Sequence, residues 1–149
     1  PDRFIEAIKA AAALGVSEIV PIISERTQFK NINIERIQKC IIEAVEQSES
    51  FVPPLLHLPM ELEEFCNKSD VEQIIVANEE ENQNIKINSI QEFKENIAVL
   101  IGPEGGFSSN EKEMLLSNPK ITSVSLGSRV LRSEVAVISM LACVNLIRD

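Results

Sequence analysis

Two arginines and a glutamate lie close together in the segment LGSRVLRSEVA, residues 126–136. Arg129 and Arg132 precede Glu134, and an almost unbroken apolar run follows. A guanidinium group stays charged and offers directed hydrogen-bond donors to an anion. Because the segment leads into an apolar helix, little solvent is left to surround these charges. The pattern therefore favours a ligand site over a solvated loop.

A glycine-rich segment, IGPEGGFS, forms a second cluster of interest. Gly102, Gly105 and Gly106 allow a close backbone approach or a positive φ, and Pro103 stiffens the turn. Their spacing matches neither the dinucleotide-binding G-x-G-x-x-G pattern nor the phosphate loop, which requires a lysine after the glycine. A tight strand-to-helix turn explains the glycines about equally well. It does not explain Glu104, because a carboxylate in such a turn is costly unless it has a partner or a task.

Apolar segments predict the elements that must position these two clusters. Strands are predicted at 18–23, 72–77, 96–102 and 121–127. Helices are predicted from Asp2 to about Ala12, from Asn33 to Ser48, around 60–66, from Ser108 to about Ser117, and from Ser133 onward. The proline-rich segment FVPPLLHLP is predicted to be a connection. This alternation indicates an α/β fold with a mainly parallel sheet and helices on both faces.

Both clusters directly follow predicted strands. In open α/β sheets, ligand sites form at the carboxyl ends of the strands. We therefore expect the glycine-rich segment and the arginine segment to face the same site.

Length and charge limit the possible function classes. The 149 residues suit one domain, and the net charge of −9 argues against a free-standing, charge-driven nucleic-acid binder. It does not exclude an RNA substrate, since a few arginines can act locally. The three cysteines, Cys40, Cys66 and Cys143, lack paired spacing and predict buried free thiols rather than a disulfide framework or metal site.

The apolar segments do not predict membrane association. The first residues resemble an amphipathic helix without the features of a signal peptide. The longest apolar stretch, 135–147, is interrupted by Ser139 and Asn145 and is shorter than the roughly 20 residues that span a bilayer. We expect a soluble, cytoplasmic protein.

The last predicted helix is apolar around most of its circumference. Six of its side chains cannot all face one core: Val135, Val137, Ile138, Leu141, Val144 and Ile147. The pattern predicts a homodimer formed through this C-terminal helix. Full burial within one chain is the alternative.

Together, LIGPEGGFS and LGSRVLRSEVA resemble the paired signature of the RsmE-type methyltransferases, which modify N3 of a uridine in small-subunit ribosomal RNA. The segments ALGVSEIVPIISERT and ERIQKCIIEAVEQS are also similar to that family, so the resemblance covers nearly the whole chain. It implies a SPOUT methyltransferase domain over 1–149 with a C-terminal trefoil knot, a rare exception to unknotted topology. It also implies that the family's N-terminal PUA-like RNA-binding domain is absent from this chain. Ala10, Ala13 and Ser50 stand where the family commonly has charged residues.

The resemblance implies S-adenosylmethionine as the methyl donor and small-subunit ribosomal RNA as the partner, without a metal. The residues expected to enclose the donor are Val76, Ala77, Ile101, Gly102, Pro103, Gly105, Gly106, Leu126, Gly127, Ser128, Val130 and Leu131.

The same resemblance suggests roles for the charged residues. N3 of uracil is a poor nucleophile until its proton leaves, so the site must stabilise an imide anion and accept that proton. Arg132 would hold the anionic base or a phosphate, and Glu134 would orient Arg132 or take the proton. Glu104 is the alternative base. Arg26 and Arg129 would contact the RNA.

Three other functions compete with this interpretation. A ribose 2′-O-methyltransferase would use the same scaffold on a hydroxyl group. A non-catalytic dimeric RNA-binding or assembly factor would keep the fold without binding the donor. A nucleotide phosphate-binding protein is disfavoured, because no lysine follows the glycines.

Overall fold

The computed structural model describes residues 2–27, 32–48, 52–68, 70–77, 85–86, 90, 92–103, 105–125 and 133–148. Its helices are α1 (Asp2–Ala13), α2 (Ile34–Gln47), α3 (Leu62–Cys66), α4 (Ser109–Ser117) and α5 (Ser133–Arg148). Its strands are β1 (Glu18–Ile19), β2 (Ile22–Ile23), β3 (Leu55–Leu56), β4 (Met60–Glu61), β5 (Gln73–Ala77), β6 (Ile85–Lys86), β7 (Ile97–Leu100) and β8 (Ile121–Ser125).

A four-stranded parallel sheet in the order β6-β8-β5-β7 forms the centre of the fold. Strand β5 pairs with β7 on one side and with β8 on the other. On β5, Val76 lies opposite Leu100 of β7 and Ser123 of β8. The predicted mainly parallel sheet is therefore confirmed, and β5, β7 and β8 all run toward one edge.

Both faces of this sheet are covered by helices. Successive strand residues point to opposite faces. Ile74 accordingly packs in a cluster with Phe65 of α3 and Leu115 of α4. Ile75, next to it, packs with Met140 of α5 in a separate cluster. The predicted arrangement of helices on both faces is confirmed.

Helix α1 packs against both α2 and α5. Ile8 of α1 and Ile41 of α2 share an apolar cluster that also contacts Ile19 and Leu56. Asn145 of α5 donates from Nδ2 to the carbonyl oxygen of Leu14 at 3.1 Å, which fixes α5 beside the end of α1.

The predicted single strand over 18–23 is wrong in detail. It is divided into β1, which pairs with β3, and β2, which pairs with β4. Pro21 separates the two parts, because proline has no N–H to donate to a ladder. Its carbonyl oxygen still accepts from the N–H of Met60 at 2.9 Å.

The prediction that FVPPLLHLP is a plain connection is also wrong. Its residues Leu55 and Leu56 form β3, and β4 follows immediately after Pro59. The prolines flank these two-residue strands and are not in them, as the missing proline N–H requires. Strand β6 was not predicted either. The predicted C-terminal knot involves residues 126–132, which lie outside the described residues.

Two expectations from the sequence can be compared with the described residues: buried free cysteines, and no segment long enough to span a bilayer. Burial raises the pKa of the Cys66 thiol above its ordinary 9.0, and the charge of Lys120 opposes this by a smaller amount. Cys66 is buried and Cys40 and Cys143 are half-buried, and all three are free thiols. Within the described ranges, no helix is long and apolar enough to cross a membrane.

Candidate functional site

The candidate site lies at the edge of the sheet where β5, β7 and β8 end. The strands are parallel, so their last residues, Ala77, Leu100 and Ser125, lie at one edge. The glycine-rich segment continues from β7, and the arginine segment begins directly after β8. The central position of β5 places the starts of these two segments on either side of Ala77.

The glycine-rich loop is a tight turn. Gly106 donates its N–H to the carbonyl oxygen of Pro103 at 2.8 Å and has a φ of 76°. A residue with a Cβ is strained at this φ. Gly102 is closely packed, since an added Cβ would lie 3.0 Å from the ring of Phe107 and the ring would have to shift by a few tenths of an ångström. The loop therefore brings its backbone close to the sheet edge while Phe107 fills the core beneath it.

The capping box predicted from Ser108 and Glu111 is confirmed. The N–H of Glu111 donates to Ser108 Oγ at 3.2 Å, and the N–H of Ser108 donates to Glu111 Oε1 at 2.9 Å. These reciprocal bonds satisfy two of the N–H groups left over at a helix start. Helix α4 consequently begins at a fixed point and holds the C-terminal end of the glycine-rich loop.

A second segment, Ser24–Thr27 after β2, lies against the glycine-rich loop. Arg26 is exposed, and its Nη1 donates to the carbonyl oxygen of Gly105 at 2.8 Å. The N–H of Glu25 donates to Glu111 Oε2 at 3.1 Å. The structure thus brings Arg26, a predicted RNA contact, to the predicted donor loop. The Glu25–Glu111 contact has no signal in the local sequence pattern, because the two residues lie 86 positions apart.

Glu134 lies in the first turn of α5. Its side chain is half-buried, and its Oε2 is buried without a hydrogen-bond partner among the described residues. A buried carboxylate oxygen is costly unless a donor or a cation satisfies it. The predicted residues Glu104, Leu126, Gly127, Ser128, Arg129, Val130, Leu131 and Arg132 lie outside the described residues.

The described part of the predicted donor site combines apolar and backbone surface. Val76 is buried, Ala77 is half-buried at the end of β5, and Ile101 to Pro103 are half-buried after β7. Gly106 has no atom within 4 Å of a Cβ placed on it, so space is open beside the turn. Backbone and small residues around open space suit a ligand that is bound by main-chain contacts.

A crevice of about 960 Å³ lies next to this site. It is bounded by α1, the β1–β2 segment, β7 and α5, and it reaches Gly102 and Pro103. Val76, Ala77 and Gly106 are not among its lining residues. The crevice therefore overlaps the predicted donor site at residues 101–103 and does not include its other described residues. Among the residues with described positions, no group of three or more His, Cys, Asp or Glu side chains could hold a metal ion.

Comparison with known proteins decides the family. The sequence profile of the RNA methyltransferase domain matches residues 1–145, which is nearly the whole chain. The chain belongs to this family. The resemblance to RsmE-type enzymes is confirmed by relatives named ribosomal RNA small subunit methyltransferase E. That of Rickettsia conorii is 39% identical over 98% of this chain and 60% of the relative. That of Aquifex aeolicus is 34% identical over 91% of this chain and 59% of the relative.

Two solved structures are similar in fold to this chain. A ribosomal RNA small subunit methyltransferase E from Neisseria gonorrhoeae, bound to S-adenosylmethionine, has a TM-score of 0.87 at 28% identity. The match covers 99% of this chain and 62% of that one. A Legionella pneumophila methyltransferase in complex with the same cofactor has a TM-score of 0.86 at 29% identity, over 98% of this chain and 62% of that one. This chain spans about 60% of the length of the curated relatives it matches.

Proposed function

We propose that this chain is the catalytic domain of an S-adenosylmethionine-dependent methyltransferase that acts on N3 of a uridine in small-subunit ribosomal RNA. The observation that carries the proposal is the shared edge of β5, β7 and β8. Strand β7, which leads into the glycine-rich loop, and strand β8, which the arginine segment follows in the sequence, both end there, on either side of β5. The names of the relatives and the cofactor bound in two similar structures support the same chemistry.

The described residues fit the proposed donor. Val76, Ala77 and Ile101 offer apolar contact, and the turn from Gly102 to Gly106 offers main-chain groups beside open space. Leu126, Gly127, Ser128, Val130 and Leu131 complete the proposed enclosure, with the trefoil knot formed by this C-terminal part of the chain. When bound, S-adenosylmethionine supplies a methyl group that is already activated on a sulfonium.

The remaining task is to make the uracil nucleophilic. The proton on N3 must leave, and the negative charge that spreads over the imide must be stabilised. Arg132 holds this anion in the proposed mechanism, since its planar fork gives two directed donors. Glu134 orients Arg132 or accepts the proton, and its Oε2, buried and unpartnered among the described residues, is suited to either role. Glu104 is the alternative proton acceptor.

The RNA approaches, in this proposal, along the side of the glycine-rich loop that carries Arg26. The Arg26 side chain is exposed and already anchored through Nη1 to Gly105. An anchored guanidinium loses less conformational freedom on binding a phosphate than a freely rotating one. Arg129 supplies a second contact. These local cations allow an acidic chain to act on RNA, and ribosomal RNA as the substrate implies action in the cytoplasm.

The same proposal includes a homodimer formed through α5. Val135, Ile138 and Leu146 are 40%, 47% and 79% exposed. Their spacing places them on one side of the helix, opposite the buried Val137, Met140 and Val144. A helix with a buried and an exposed apolar face has a surface suited to a second copy of itself.

Replacing Arg132 tests the proposed function. We expect Arg132→Ala to lower methyl transfer to deproteinised small-subunit ribosomal RNA by about 100-fold or more, since one directed charge on the transition state is lost. Affinity for S-adenosylmethionine should stay within about twofold. Titration calorimetry measures the dissociation constant for S-adenosylmethionine. Nucleoside analysis of the product distinguishes N3 methylation from ribose methylation.

The control for this test is Arg36→Ala, which removes an exposed arginine of α2 and should leave both quantities unchanged. Full turnover by Arg132→Ala would remove Arg132 from the mechanism. A 2′-O-methylated product would favour the ribose methyltransferase. No donor binding by folded wild-type protein would favour the non-catalytic assembly factor.

A further inference from the structure

Two buried polar residues lie on the segments next to the glycine-rich loop, one in the turn after β2 and one in α4. Ser24 is 5% exposed and Glu111 is 8% exposed. The N–H of Ser24 donates to Thr27 Oγ1 at 2.9 Å, and the two hydroxyl groups lie 2.9 Å apart. The N–H of Thr27 also donates to the carbonyl oxygen of Ser24. The segment Ser24–Thr27 is therefore a closed turn with internal hydrogen bonds, and it can be held as a unit.

Glu111 fastens this turn to helix α4. Its Oε1 accepts from the N–H of Ser108 at 2.9 Å, and its Oε2 accepts from the N–H of Glu25 at 3.1 Å. Capping of α4 requires only the first of these bonds. The second bond has no role in the helix itself, because Glu25 belongs to the turn after β2. A carboxylate is suited to both at once, since each oxygen accepts from a different donor.

A second contact joins the same two segments at the other end of the loop. Arg26 Nη1 donates to the carbonyl oxygen of Gly105 at 2.8 Å. The turn Ser24–Thr27 is thus held by Gly105 before α4 and by Glu111 within its first turn. Two separate contacts restrict rotation as well as translation of one segment against the other.

We propose that Glu111 is a positioning residue that couples donor binding at the glycine-rich loop to RNA binding at Arg26. The inference rests on the proposed function for the identity of the two ligands. The attachment of the turn to α4 through Glu111 and to the glycine-rich loop through Arg26, which we call the clamp, rests on the hydrogen bonds alone. A change in the glycine-rich loop on donor binding is transmitted through Glu111 to Glu25 and so to Arg26. Glu111 itself contacts neither ligand in this proposal.

Glu111→Gln separates the two contacts without removing the side chain. A carboxamide has one acceptor oxygen, and its NH₂ group cannot accept an N–H. The single oxygen can keep the local bond to Ser108, three residues away, while the bond to Glu25 is lost. Glu113→Gln is the matched control, because Glu113 is exposed on the same helix.

Hydrogen exchange read by mass spectrometry tests the clamp in the donor-free protein. We expect amides of 22–27 to exchange about tenfold faster in Glu111→Gln than in wild type, and at the wild-type rate in Glu113→Gln. Thermal unfolding checks that both variants are folded. Wild-type exchange in Glu111→Gln would overturn the proposal.

Binding measurements test the coupling. In wild type, S-adenosylmethionine should slow exchange of 22–27, and in Glu111→Gln this effect should be lost. The dissociation constant for deproteinised small-subunit ribosomal RNA should rise about 5-fold to 30-fold, and that for the donor less than about twofold. Equal losses for both ligands would indicate general damage and overturn the positioning role. If wild type bound no donor, the proposed function and the coupling would both fail. Hydrogen exchange of residues 22–27 in the donor-free protein would still show whether Glu111 holds the turn.

Discussion

Gly105 and Gly106 are adjacent, but the structure places different demands on them. Gly106 has a φ of 76°, which residues with a Cβ adopt only with strain. Space is not the limit, because no atom lies within 4 Å of a Cβ placed on Gly106. Gly105 lies outside the left-handed region, and an added Cβ would make ordinary contact with Arg26 at 3.6 Å. The need for glycine at 106 is therefore conformational, and at 105 there is no comparable need.

The pair gives a direct test of the turn. We expect Gly106→Ala to lower the free energy of unfolding by about 1–2 kcal/mol, because the left-handed conformation penalises a Cβ by that amount. Gly105→Ala should change it by less than about 0.5 kcal/mol. Urea denaturation of both variants measures the difference. Equal losses at the two positions would contradict the conformational explanation.

At the residue scale, the sequence predicted local relations and missed distant ones. Ser108 and Glu111 are three residues apart, so their capping box could be predicted from spacing alone. The contact of Glu111 with Glu25 could not, because it depends on how α4 packs against the turn after β2. Arg26 was predicted to contact RNA, whereas its bond to Gly105 had no signal in the local pattern.

At the element scale, long periodic segments were predicted well. Helices α2 and α4 and strands β5, β7 and β8 lie close to their predicted bounds. Helix α2 buries Ile37, Ile41, Ala44 and Val45 at helical spacing, and β5 and β7 consist mostly of apolar residues. Helix α4, in contrast, was predicted from its capping box. Strands β3, β4 and β6 have two residues each, and two residues show no period. Their pairing depends on a neighbouring strand that is distant in the sequence, so local pattern could not reveal it.

Helix α4 links the element scale to the site, and its cap can be tested directly. Ser108→Ala removes the acceptor for the N–H of Glu111, so we expect the free energy of unfolding to fall by about 1 kcal/mol. Ser109→Ala, at the exposed first residue of α4, is the control and should change it by less than about 0.5 kcal/mol. Chemical denaturation compares them. A loss in Ser109→Ala as large as in Ser108→Ala would contradict the capping role.

At the scale of the whole molecule, α5 has one apolar face that is buried and one that is exposed. Met140 is fully buried beside Ile75 and Val124, which accounts for the sheet-facing side. Val135, Ile138 and Leu146 remain exposed on the other side and form an apolar stripe. Burying such side chains contributes about 25 cal/mol per Å² of apolar surface, so leaving the stripe in water forgoes that free energy. A second copy of the chain would recover it through a symmetric contact.

Charge placed in this stripe tests the proposed dimer. We expect Ile138→Glu and Leu146→Glu each to raise the dimer dissociation constant by about 30-fold or more, because a buried, unpaired carboxylate opposes association. Ile42→Glu is the matched control, since Ile42 is an isoleucine of α2 with a similar exposure of 43%. Light scattering during size-exclusion chromatography measures the molar mass over a dilution series. A monomeric wild type would contradict the dimer, and equal dissociation by Ile42→Glu would show that added charge alone, irrespective of the stripe, weakens association.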